Sequence, residues 1–93
     1  MDVAFEWDER KAQANLAKHG VSFLTAAEVF GNEILERIDN RKDYGETRTR
    51  ALGRVGNVVL ACVYADRAET RRIISLRHAS RKERDAYREA FPQ

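Results

Sequence analysis

The sequence predicts an α+β fold in which a short strand and two helices precede four strands, and one helix closes the chain. Three observations carry this. Val3, Phe5 and Trp7 alternate with Asp2, Ala4 and Glu6, the period of a half-buried strand. Four strand-like runs, divided by Asn-, Asp- and Gly-rich turns, fill residues 34–78. Ser80 and Glu83 stand at the S-x-x-E spacing of a capping box, ahead of a helix from residue 81 to about residue 91.

Each element has its own signal. Asp8 is placed to cap a first helix that runs to about residue 18, and Gly20 to end it in a left-handed turn. Ser22 caps a second helix in which Phe23, Ala26, Ala27 and Phe30 recur at i, i+3, i+4 and i+7, one stripe that needs a sheet to pack on. The strands fall at residues 34–39, 47–55, 58–65 and 70–78. Gly56-Asn57 between the second and third reads as a two-residue hairpin, which makes those neighbours antiparallel. Within 47–55, Arg48, Arg50 and Arg54 share a face with Leu52, while Thr47, Thr49, Ala51, Gly53 and Val55 share the other. One face is thus cationic, and the other is small enough to lie under helices. The run from Val58 to Tyr64 is apolar on both faces and belongs at the centre of the sheet.

Ninety-three residues suit one domain spanning 1–93 with a single modest core. Cys62, the lone cysteine, lies within the apolar run and reads as a core residue. No apolar stretch is long enough to span a bilayer and no signal-peptide pattern opens the chain, so the expected location is cytoplasmic, away from membranes.

The net charge of +2 hides an uneven distribution. Residues 1–47 carry 6 Lys+Arg against 10 Asp+Glu, whereas residues 48–93 carry 11 against 5, and ten of those eleven cations are Arg. This predicts a cationic face and a separate acidic surface. Arginine presents a planar fork that matches phosphate oxygens, so the cationic face points to phosphate. The densest segment runs from Arg71 to Arg84, where a strand enters the capped helix and Arg77 sits beside the junction.

The residues also resemble a known family. Phe5-x-Trp7-Asp8, Asn15-x-x-Lys18-His19-Gly20-Val21-Ser22-Phe23, Tyr44-Gly45-Glu46-x-Arg48, Leu52-Gly53 and Arg72-Ile73-Ile74-Ser75-x-Arg77-x-Ala79-x-x-Glu83-Arg84-x-x-Tyr87 are similar to the BrnT toxins of type II toxin–antitoxin systems. The resemblance implies a RelE-like fold, with helices packed on one face of an antiparallel sheet and a C-terminal helix. It implies a ribonuclease that cleaves RNA and arrests translation. It also implies a BrnA-like antitoxin, through which the complex binds operator DNA.

Cleaving RNA without a metal needs a base for the ribose 2′-OH, cations on the non-bridging oxygens and an acid for the leaving 5′-oxygen. His19 is one candidate for proton transfer, because imidazole ordinarily titrates near neutral pH; its alternative role, with Lys18, is to close a helix. Glu46 is the other candidate base, or else a turn carboxylate paired with Arg48 or Arg50. Arg77 is the expected phosphate cation, with Arg72 or Arg48 as a second. Ideal alternation places Arg72 and Arg77 on opposite faces, so both contribute only if one sits at a twisted edge. Lys18, Arg48, Arg50, Arg54 and Tyr87 are candidate RNA contacts, Tyr87 as a stacking ring or as a core-edge tyrosine. No metal or other cofactor is expected, since His19 and His78 lie far apart in sequence and no Cys cluster or carboxylate set surrounds them. The competing class is a noncatalytic module that binds RNA or an acidic protein on its Arg-lined sheet.

Overall fold

Asp8 starts the first helix as its side chain suggests, accepting from the amides of Arg10 and Lys11. Gly20 ends it at φ 69°, a left-handed turn from which its N–H reaches the Leu16 carbonyl. The computed structural model describes residues 3–92, so Asp2 of the predicted first strand lies outside the described residues. The chain forms β1 (Ala4–Glu6), α1 (Glu9–His19), a 3-10 turn (Phe23–Thr25) leading into α2 (Ala26–Val29), β2 (Ile34–Ile38), β3 (Thr49–Val55), β4 (Val58–Arg67), β5 (Thr70–His78) and α3 (Arg81–Ala90). The α+β order expected from the sequence is the one observed.

Two details differ. The second helix is a 3-10 turn followed by a single α-turn, and its buried residues are Phe23, Ala26 and Val29 while Ala27 is exposed. A three-residue period replaces the 3.6-residue one, which moves the buried stripe to every third position. The sheet is also mixed. Its order is β1-β5-β4-β3-β2, antiparallel at every junction except β1 with β5, which is parallel over three residue pairs. Hairpin logic predicts only neighbours joined by short turns; β1 reaches β5 from the far end of the chain, outside that logic.

The main core lies between the sheet and α1, the 3-10 turn and α2. Phe23, Val29, Leu60, Cys62, Tyr64, Ile73 and Leu76 are buried there, with Phe5, Trp7 and Phe30 packed alongside. Ile73 and Leu76 share this core although they are three apart, because the β4–β5 register slips between Val63 and Tyr64 and leaves Ile74 as a bulge. Helix α3 covers the opposite face, where Tyr87 and Ala79 pack with Val59, Leu35 and Leu52. Burial holds the Cys62 thiol up near 12, so it rests as a neutral core group.

β3 passes very close to α2 at Gly53. A Cβ there would meet Val29 Cγ1 at 2.7 Å and the Val29 carbonyl oxygen at 2.9 Å. Gly53→Ala is therefore expected to destabilise the fold by about 2 kcal/mol or more, because backbone must move to admit one methyl. Urea unfolding of the variant against wild type checks this.

Candidate active-site cleft

Helix α3 covers only part of its sheet face, and the uncovered remainder is the floor of a cleft of roughly 450 Å³. Leu52, Ala61, Val63 and Ser75 form that floor. Arg37 on the edge strand β2 and Arg50 on β3 line one side, Arg41 leans in from the loop after β2, and Lys82 and Glu83 come from the first turn of α3. Lys18 and His19, the last residues of α1, complete the lining.

Asn15 puts the end of α1 there. β1 pairs with β5 only as far as Arg72, so the edge of β5 beyond it has no neighbouring strand. The buried Asn15 amide fills the gap: its Nδ2 donates to the Leu76 carbonyl at 2.6 Å and the Val21 carbonyl at 3.1 Å, and its Oδ1 accepts from the Leu76 amide at 3.1 Å. The helix is thereby fixed to the strand edge, and Lys18 and His19 follow within one turn.

Arg77 is held from behind. Its Nη1 and Nη2 donate to the two oxygens of Glu83 at 2.7 and 3.0 Å, and Nη1 also donates to the His78 carbonyl at 3.1 Å. Glu83 serves the fold as well, since the same carboxylate accepts from the Ser80 amide at 2.8 Å while the Ser80 hydroxyl accepts from the Glu83 amide. The predicted capping box is thus present. The Arg77 guanidinium and the Ser80 amide pull the Glu83 carboxyl down to about 2, against the opposing effect of burial. Arg77 is in turn held more firmly protonated by Glu83, while the charge of nearby Arg41 acts against this. Arg41 has its own backing: Nε and Nη2 each donate at 2.8 Å to the buried Asp39, whose carboxyl is held well below its usual range by that contact.

The sequence-derived candidates divide between the cleft and its surroundings. His19, Arg77, Lys18 and Arg50 line it. Glu46 lies outside the lining and pairs with Arg67 at 3.1 Å and Arg48 at 3.8 Å, while the Arg48 guanidinium sits 4.2 Å from the centre of the Tyr44 ring. Arg72 pairs with Glu6 at 3.7 Å. The bulge at Ile74 gives Arg72 and Arg77 the same sheet face, since their partners Ala65 and Ala61 on β4 are four apart. Arg54 and Tyr87 line a second groove, separate from the cleft, with Val59 and Phe91. The Tyr87 side chain is buried, its hydroxyl donates to the Glu33 carbonyl at 2.7 Å, and its ring packs against Phe91.

Sequence reasoning missed Arg37, Arg41 and Lys82 as cleft residues and saw Glu83 only as a cap. Nothing local shows that the β2–β3 register sets Arg37 opposite Arg50, or that the loop after β2 turns Arg41 inward.

The family model for the ribonuclease toxin BrnT of type II toxin–antitoxin systems matches residues 7–83. The chain belongs to this family. No individually curated protein matches it significantly. The span matched by the BrnT model runs from Trp7 to Glu83 and so includes α1, the whole of the cleft floor and both partners of the Arg77–Glu83 pair. Membership of the BrnT family makes RNA the substrate class and an antitoxin the partner class of this chain. Among the described residues, no three His, Cys, Asp or Glu side chains come together as a metal-binding group, and no helix is long and apolar enough to cross a membrane.

The depressed Glu83 carboxyl has a consequence for stability. Its folded value lies below the ordinary 4.5, so its contribution is fully present above pH 4.5 and is lost as pH falls toward 2. With an allowance for the partly exposed Arg77, wild type is expected to lose about 2 kcal/mol more than Glu83→Gln between pH 7 and pH 2.5. Urea unfolding at the two pH values measures the difference, and parallel losses in both proteins would remove Glu83 as the cause.

Proposed function

We propose that this chain is a metal-independent endoribonuclease that cuts RNA in the cytoplasm and so arrests translation, and that a BrnA-like antitoxin neutralises it and carries the complex to operator DNA. One observation supports this above the others. His19 and Arg77, far apart in the sequence, line the same cleft, and apart from Glu83 every charged group around them is a cation.

The chemistry follows from what each group can do. The ribose 2′-oxygen attacks the adjacent phosphorus and the bond to the 5′-oxygen breaks, leaving a 2′,3′-cyclic phosphate and a 5′-hydroxyl. One proton leaves the 2′-OH and one arrives at the 5′-oxygen. His19 carries one of these protons. Arg77 meets the non-bridging oxygens, where charge builds up in the transition state. Its Nη1 hydrogens are taken by Glu83 and His78, which leaves Nε and one hydrogen of Nη2 for the phosphate. Because Glu83 already orients the guanidinium, little reorganisation accompanies the developing charge. Lys18 and Lys82 add positive potential within the cleft, whereas Arg48 and Arg72 are paired with Glu46 and Glu6 outside it.

Cleavage of end-labelled RNA by wild-type, His19→Ala and Arg77→Ala chains, with and without EDTA, tests the proposal. Wild-type cutting should survive EDTA, and Arg77→Ala should lower turnover by about a hundredfold or more while RNA affinity falls much less. Cutting that is lost in EDTA and returns with Mg²⁺ would overturn metal independence. A folded wild-type chain that binds RNA and leaves it whole would point to the noncatalytic module instead.

A further inference from the structure

Arg37 and Arg50 face each other directly across the β2–β3 ladder, both exposed and both lining the cleft. Like charges at facing antiparallel positions destabilise the pair. The described residues offer little to offset this. Among them Arg50 has one carboxylate neighbour, Glu83 at 3.7 Å, whose oxygens are already bonded to Arg77 and the Ser80 amide. Arg37 forms no ion pair among the described residues. Two opposed guanidinium groups that share so little internal countercharge leave a place for an external anion, and their planar forks match phosphodiester oxygens.

The strand register says which phosphate this is. Arg37, Arg50, Val63 and Ser75 form one row across the sheet, and Leu35, Leu52, Ala61 and Arg77 form the next. Successive rows on one face lie about 7 Å apart along the strands, and Arg50 and Arg77 are also two strands apart, about 10 Å across the sheet, so it is their side chains that lean together. Arg50 and Arg77 also approach the same oxygen, Glu83 Oε2, at 3.7 and 3.0 Å. Between them the floor is uncharged, made by Leu52, Ala61 and Val63. The cations therefore form two neighbouring poles with Glu83 between them.

We propose that Arg37 and Arg50 form a second phosphate site, which takes the RNA phosphate next to the one that meets Arg77. The inference rests on the ribonuclease reading of the cleft and deepens it. One phosphate contact leaves a single strand free to pivot, whereas two fix its register and so aim the 2′-OH at the scissile phosphorus.

The test is binding of a single-stranded 2′-O-methyl oligonucleotide, which lacks the attacking hydroxyl, to wild-type, Arg37→Ala, Arg37→Lys and Arg50→Ala chains over a range of salt concentrations. Thermal unfolding of each is followed in parallel. Each Ala variant should lower the slope of log K against log salt by about 0.7, the value for one phosphate contact to a single strand. Arg37→Lys should recover the slope but only part of the affinity, since it keeps the charge and loses the fork. Arg37→Ala should unfold no earlier than wild type, because it relieves the cross-strand opposition. Wild-type slopes and affinities in both Ala variants would overturn the proposal. So would a wild-type chain with no affinity for the oligonucleotide, or Ala variants that lose binding to a poly-glutamate peptide while holding RNA normally. All-ribose RNA is cut in a separate assay with the same wild-type preparation. Cutting with unchanged slopes sinks this inference alone, and lowered slopes without cutting sink the ribonuclease reading alone.

Discussion

The cleft depends on one buried amide. A three-residue β1 leaves most of the β5 edge without a strand partner, and Asn15 supplies both a donor and an acceptor to Leu76, as a neighbouring peptide unit would. An unpaired buried backbone group costs on the order of 1–3 kcal/mol, so two at Leu76 would weigh heavily on a domain of this size. A longer β1 could satisfy them equally well but would bring no helix end to the strand edge. Asn15 does both, and Lys18 and His19 reach the cleft as a result.

Glu83 plays the matching part on the other wall. Capping α3 and backing Arg77 use the same carboxylate, so the helix start and the orientation of the guanidinium are one structural event. Asp39 does the same for Arg41 with a bidentate contact from a buried position. Each arginine is fixed from behind by an anion and presents its remaining hydrogens forward. Such backing removes side-chain freedom in advance, and under the proposed function this preorganises the cleft for RNA.

The uneven charge of the two halves does not become two separate surfaces. Glu6 and Glu46, from the acidic half, pair with Arg72, Arg67 and Arg48 of the basic half. Folding interleaves the halves because β1 lies beside β5 and the turn before β3 lies beside the end of β4. The cleft remains cationic, with Glu83 the one lining carboxylate among six lysines and arginines. Charge counted along the chain indicated the ligand class, but the sheet decided where the charge remains uncompensated.

By itself the sequence determined most of the elements, because their signals are local: the Asp8 and Ser80 caps, Gly20 at the helix end, Gly56-Asn57 between two strands, and the apolar run of β4. It also brought out Arg77 and His19 as candidates, through residue chemistry and family resemblance. It left Arg72 and Arg77 on opposite faces, since strict alternation has no place for the bulge at Ile74, which is set by pairing with β4. The tertiary structure alone decided that β1 runs parallel to β5, that Arg37 and Arg41 belong to the cleft, and that Tyr87 is buried beneath α3. Each of these is set by which distant segment lies alongside, and periodicity within one element carries no information about its neighbours.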